Sequence, residues 1–233
     1  MAASKSLQRV AILGAESTGK SWLARTLTGV IQMRGQPACK VDEMLRAWCD
    51  REGRTPEQHE QWGIARQQAA AIEKAIEASA ATTPSGWVIA DTTPLMTAVY
   101  SHLLFDDDSL YPMALAHHAV YEHTLLTGLD LPWVADGLQR DGPHVRGPVD
   151  NLLRQALERA GMAYRVVYGQ GHLRLNNALL ALGLPGEDEA ARALREQSQF
   201  AINQGRTVWQ CNECSDPECE HKLFTGLLAK RSG

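Results

Sequence analysis

No apolar run in the 233-residue sequence approaches the roughly 20 residues that span a bilayer, and no basic-then-apolar segment of the kind that directs secretion opens it. A cytoplasmic location without a membrane partner is expected. Net charge is slight as well, at −4. The chain therefore carries no overall field that would draw it to nucleic acid or anionic lipid, and phosphate binding must come from a few placed cations. Five cysteines, an odd number, fit thiols or metal ligands better than a disulfide framework. Fixed-period repeats and long low-complexity tracts are missing too. The length suits one α/β domain with a full core, alone or with a small appendage, and nothing in the composition sets an oligomeric state.

What is present is Gly14-Ala15-Glu16-Ser17-Thr18-Gly19-Lys20-Ser21 between the apolar run Val10–Leu13 and an amphipathic stretch from Trp22 onward. It reads GxxxxGKS in the context strand, loop, helix. Glycines let the backbone wrap an anion, and the free amides at a helix N-terminus point at phosphates. Lys20 reaches the β/γ oxygens and the Ser21 hydroxyl ligates magnesium. Gly14, Glu16, Ser17, Thr18, Gly19, Lys20, Ser21 and Trp22 are the candidate ATP contacts.

Further along, apolar spacing predicts a helix over 21–34, a strand over 38–41 and a helix start at 44–48. Thr55-Pro56-Glu57-Gln58 combines an N-cap with proline at the first helical position and opens a helix to about Ala80. Trp87–Ala90 reads as a buried strand ending at Asp91. Helices are expected at 94–105 and 111–122, the latter pair separated by a solvated acidic turn, Asp106-Asp107-Asp108. Strands follow at 125–129 and 163–168, with a polar Gly/Pro/Arg-rich lid at 132–147 and a helix at 148–160 between them. Two more helices, 172–182 and 187–203, complete an alternation that means a parallel sheet covered on both faces. The kinase-type domain thus spans 1–203, followed by a Cys/His-rich tail at 204–233.

Phosphoryl transfer asks the protein for charge neutralisation and positioning, and carboxylates at strand C-terminal ends are suited to both. Asp91 ends the third strand; Asp42 and Glu43 end the second. Asp91 also suits a helix N-cap, and Glu43 a first-turn partner of the helix dipole, with Arg46 three residues on. Arg140 and Arg146 in the lid are candidate clamps for the transferring phosphoryl group, and Asp136 a candidate ligand of magnesium or of a substrate hydroxyl. His117, His118 and His123 lack metal spacing and read as packing or surface residues. In the tail, Cys211, Cys214, Cys219 and His221 supply three thiolates and an imidazole within eleven residues. Such a set suits tetrahedral zinc, although free thiols or a redox pair at Cys211 and Cys214 remain open.

Four pieces resemble the ribosylnicotinamide kinase domain of NadR-type proteins, P-loop kinases related to nucleoside kinases and often labelled AAA-type ATPases. They are ILGAESTGKSWLARTL at 12–27, VDEMLRAW at 41–48, VIADTTPLMTAVY at 88–100 and LPWVADGLQRDGPHVRGPVDNLLRQAL at 131–157. The resemblance covers about residues 8–182. It implies a three-layer sandwich on a five-stranded parallel sheet of order 2-3-1-4-5, ATP with magnesium, and transfer of the γ-phosphoryl group to the 5′-hydroxyl of nicotinamide riboside, a step of NAD biosynthesis. By the same resemblance Glu43 and Arg46 match an E-x-x-R element at the substrate. Asp91 is then the general base or magnesium organiser with Glu43 as its rival, and Asp136, Arg140 and Arg146 belong to the lid. Only about seven residues precede the first strand, so the adenylyl transfer that NadR-type proteins add is not expected. The Cys/His tail is no part of the pattern. A kinase of another nucleoside, and a regulatory ATPase whose zinc tail contacts a partner, stand as alternatives.

Overall fold

The structure is a computed structural model describing residues 6–83, 85–134 and 143–186. These fall into two compact units, divided between Gly169 and Gln170.

The first unit holds a parallel sheet of β1 (Leu7–Leu13), β2 (Ala38–Val41), β3 (Gly86–Asp91), β4 (His123–Thr127) and β5 (Arg165–Val167), in the order β2-β3-β1-β4-β5. The order expected from the sequence is the order found. β1 is central, pairing Ile12 with Asp91 on one side and Leu13 with Leu126 on the other. Its Val10, Ala11, Ile12 and Leu13 have no exposed surface, which is why this strand is a continuous apolar run.

Both faces are covered. On one, Val88 and Ala90 of β3 cluster with Val41 and with Ile72 of α3 (Gln61–Thr82). Strand side chains alternate, so Ile89 points to the opposite face. It is fully buried there, where α1 (Lys20–Met33) packs on β2 and β3. Helix α2 (Met44–Glu52) lies against α3, and α4 (Pro94–Phe105) packs on α3, α5 (Tyr111–His118) and α6 (Arg146–Arg159) around an apolar cluster that includes Leu95, Val99 and Leu153. In the second unit the described residues form α7 (Gly171–Ala181) and the turn after it. Among the described residues no helix is long and apolar enough to cross a membrane.

Several boundaries differ from those read in the sequence, each for a local reason. The helix expected from Thr55 begins instead with a 3₁₀ turn, Gln58–Glu60, leading into α3. Its cap is Glu57, whose backbone amide donates to Glu60 Oε2 at 2.8 Å in a reciprocal capping box. Strand β4 begins two residues early, at His123, because the polar side chains at its start are satisfied within the fold: His123 stacks on Trp87, and Thr124 bonds His118. Part of the expected lid is helical: residues 143–145 form a 3₁₀ turn and α6 starts at Arg146. Residues 135–142 and 187–233 lie outside the described residues, and with them Asp136, Arg140, the helix expected at 187–203 and the candidate ligands Cys211, Cys214, Cys219 and His221.

Candidate active site

The loop from Gly14 to Gly19 leaves β1 and enters α1 through backbone that only some residues accept. Gly14 sits at φ +149 and Gly19 at +76, and Ser17 holds φ +55 although it is not glycine. At Gly14 the need for glycine is also steric, because a Cβ would stand 2.0 Å from Thr127 Oγ1. The Thr18 hydroxyl meets that of Thr127 at 2.6 Å, with Ala15 O 2.7 Å from Thr18 Oγ1 and Leu13 O 3.1 Å from Thr127 Oγ1. Each hydroxyl has one proton to give, so the four atoms form one relay that ends on a carbonyl of β1 or of the loop. Ser17 Oγ accepts from Val134 N at 2.8 Å and donates to Val134 O at 3.2 Å, tying the loop to the segment after β4.

Lys20, the first residue of α1, donates to Ala15 O at 2.9 Å across its own loop. Burial pulls its pKa down, and the carboxylates of Glu43, Asp91 and Glu16 pull it back up. Those three acids, from three separate segments, all raise the proton affinity of one ammonium. Glu43 is the N-cap residue of α2 but its side chain makes no cap bond. Burial pushes its pKa up, Lys20 opposes, and Arg46 Nε stands 3.7 Å away. Asp91 is 2% exposed and its Oδ1 has no hydrogen-bond partner. It does not cap α4, since Thr93 does so by accepting from Leu95 N. The next residue, Thr92, is held at φ +72, a strained conformation of the kind that clusters at ligand sites.

Asp42, the other acid at the end of β2, does not join them; its exposed carboxylate pairs with Lys40. Arg146 lies in a helix where the sequence suggested a loop. It is 8% exposed at the first turn of α6, with Nη1 donating to Leu131 O at 2.9 Å while Nε and Nη2 have no partner. A buried guanidinium with donors to spare suits an anion. Ser21 and Trp22 occupy the next two positions of α1, and the Trp22 Nε1 is buried without a partner.

Beside Glu16, Ser17 and Lys20 opens a cleft of about 80 Å³, lined also by Glu43, Arg46 and Gln61. Its lining mixes apolar side chains with a few charged and polar groups, as small-molecule sites do. The sequence reading missed Gln61 and Gln68. Both fall on the buried stripe of α3 with Ile64, Ala65 and Ile72, and a polar residue recurring in an apolar stripe is the signal that would have found them. Gln68 Oε1 accepts from Met44 N at 2.7 Å and its Nε2 donates to Asp42 O at 3.3 Å. It thereby clamps the two residues flanking Glu43. Thr127 went unnoticed because one threonine at a strand end carries no pattern.

No curated protein sequence matches the chain. Among solved structures, the fold matches a crystal structure of NadR protein in complex with NAD and AMP-PNP, with a TM-score of 0.60 and 19% identity over 75% of this chain and 48% of that one. It also matches NadR protein in complex with NR, with a TM-score of 0.61 and 19% identity over 78% and 51% of the two chains. The chain thus spans about half the length of these NadR structures, and at that identity the likeness is one of fold. The sequence model of the AAA domain family matches residues 9–174. With the phosphate-type loop at the end of a central strand and the sheet order found here, the chain belongs to the AAA domain family.

Proposed function

We propose that the protein is a magnesium-dependent kinase of the cytoplasm that moves the γ-phosphoryl group of ATP to a nucleoside, with the 5′-hydroxyl of nicotinamide riboside as the acceptor. The observation that carries this is that Glu16, Lys20 and Glu43 line one cleft, with Asp91 close enough for its charge to act on the same ammonium. A nucleotide switch needs the loop and one acid; a second, buried acid facing an open cleft suits a second substrate. The surplus of carboxylate also suits an acceptor that is itself a cation, as a ribosylated pyridinium is. That the NadR structures of the same fold hold NAD with AMP-PNP in one case and NR in the other supports both substrates.

On this reading Gly14, Glu16, Ser17, Thr18, Gly19, Lys20, Ser21 and Trp22 hold the ATP phosphates, and Lys20 and Arg146 neutralise charge on the moving group. The open Oδ1 of Asp91 and the Ser21 hydroxyl fit magnesium, directly or through water, and the ion would supply counter-charge to the phosphates. Glu43 lines the cleft and burial raises its proton affinity, so it takes the proton of the acceptor hydroxyl as that oxygen attacks phosphorus and ADP leaves. Arg46, also at the cleft, orients the ribose. Asp136 and Arg140 complete the site from the lid, and Cys211, Cys214, Cys219 and His221 hold a structural zinc.

Incubation with ATP, magnesium and a nucleoside panel tests the reading, with formation of nicotinamide mononucleotide expected. Phosphorylation of another nucleoside alone removes the acceptor and keeps the class. ATP hydrolysis with no acceptor phosphorylated favours a regulatory ATPase. For the tail, elemental analysis after chelator-free purification should give near one equivalent of zinc, and less than about half would count against the site.

A further inference from the structure

Gln61, the first residue of α3, is 2% exposed, and its Oε1 has no hydrogen-bond partner. An amide oxygen buried in that state is expensive, and the companion glutamine on the same stripe, Gln68, has both ends satisfied. Gln61 differs in that it faces the cleft. Glu16, which shares the cleft, also keeps a buried oxygen, Oε2, without a partner. The remaining wall includes Leu45, Pro56, Tyr100 and Leu104, side chains with apolar surface against which a ring can pack. A molecule that satisfies this wall presents a ring together with an N–H group.

We infer that Gln61 reads the base of the acceptor, its Oε1 accepting a hydrogen bond from a carboxamide or exocyclic amino group carried on the ring. The inference rests on the cleft being the acceptor site. A ring bearing carboxylate in that place brings no N–H for Gln61 Oε1 and is disfavoured for that reason. Gln61 is a specificity residue with no part in the transfer itself.

The test is calorimetric binding, with magnesium and a non-hydrolysable ATP analogue present, of two matched pairs: nicotinamide riboside with nicotinic acid riboside, and adenosine with purine riboside. The wild type should prefer the N–H-bearing member of at least one pair by about 10-fold or more. Gln61→Met, similar in length and without the acceptor oxygen, should bring that ratio to within about twofold of one. Gln61→Glu retains an acceptor oxygen in either protonation state and should keep the preference. Gln61→Leu provides a second apolar variant should the methionine protein not melt cooperatively. A wild type without preference, or an apolar variant that keeps it, overturns the inference while leaving a bound acceptor in place. If only the adenosine pair binds and its preference vanishes in Gln61→Met, Gln61 reads the base but the nicotinamide acceptor falls. If no member binds, both fall.

Discussion

The hydroxyl of Thr18 lies 2.6 Å from that of Thr127, so the phosphate-type loop is held by a residue 109 positions away at the end of β4. Both side chains are fully buried. The contact sets the close approach that excludes a Cβ at Gly14, and it makes the loop's shape a property of the sheet as well as of its own glycines.

Gly14→Ala should therefore lower stability by about 2–4 kcal/mol and weaken ATP binding, because a methyl group meets Thr127 Oγ1 at a backbone angle alanine resists. Adding Thr127→Ala relieves the clash but not the strained φ. In urea melts the double variant should fall short of the summed single effects by on the order of 1 kcal/mol. Strict additivity would show that the two residues do not meet.

Lys20, Glu43 and Asp91 should separate kinetically. Lys20→Ala is expected to lower kcat/KM by about 10²–10³. Glu43→Gln should lower kcat by about 10²–10⁴ while leaving ATP affinity near the wild-type value. Asp91→Asn should raise the magnesium concentration needed for half-maximal rate. Should Asp91→Asn lose kcat with an unchanged magnesium requirement, and Glu43→Gln do neither, the base is Asp91.

Gln68→Leu removes the clamp on Met44 N and Asp42 O while keeping the packing volume. Stability should fall by about 1–3 kcal/mol. Because the clamp holds the segment carrying Glu43 and not the ATP loop, kcat should drop further than ATP affinity at temperatures where the protein remains folded. Equal loss of both would mean that Gln68 acts only on stability.

His118 is buried between Thr124 Oγ1 at 2.9 Å and Thr93 Oγ1 at 3.4 Å, and burial pushes its pKa down to about 4. The unfolded chain takes up this proton first, near the ordinary histidine value of about 6.5. Stability is therefore lost as pH falls from about 6.5 toward 4 and changes no further below that, by roughly 3 kcal/mol at most from this group. His118→Gln should flatten that slope in thermal melts taken across the window. His117 and His123 are shifted in the same direction by burial, so a smaller slope should persist.

The sheet was legible in the sequence wherever one rule governed a segment. Val10–Leu13 and Trp87–Ala90 are buried on both faces and contain little but apolar residues, while Gly19-Lys20-Ser21 announces its own chemistry. Helix α4 was found at its full span because Pro94 starts it, and Asp106 at φ +53 ends it. What escaped notice depends on partners distant in the chain. His123 and Thr124 look like loop residues until Trp87 and His118 stand beside them. Asp42 and Glu43 are equivalent on paper, yet neighbouring strand-end side chains diverge, and only Glu43 lines the cleft beside Lys20. Arg146 resembled a loop residue because glycine and proline surround it, whereas Pro148 near the first turn is well tolerated by a helix.

The pairing of β1 with β3 and β4 carries a consequence for biosynthesis. A chain made from its N-terminus completes the sequence of the phosphate-type loop by residue 21, but Ile12 gains the neighbour Asp91, and Leu13 gains Leu126, only after most of the first unit has been made. Until Thr127 arrives, Thr18 has no hydroxyl to meet. The nascent loop is thus a glycine-rich tether rather than an anion cradle, and long-range parallel pairing is slow to form. A nucleotide held by this loop would then be captured only after β4 has joined the sheet.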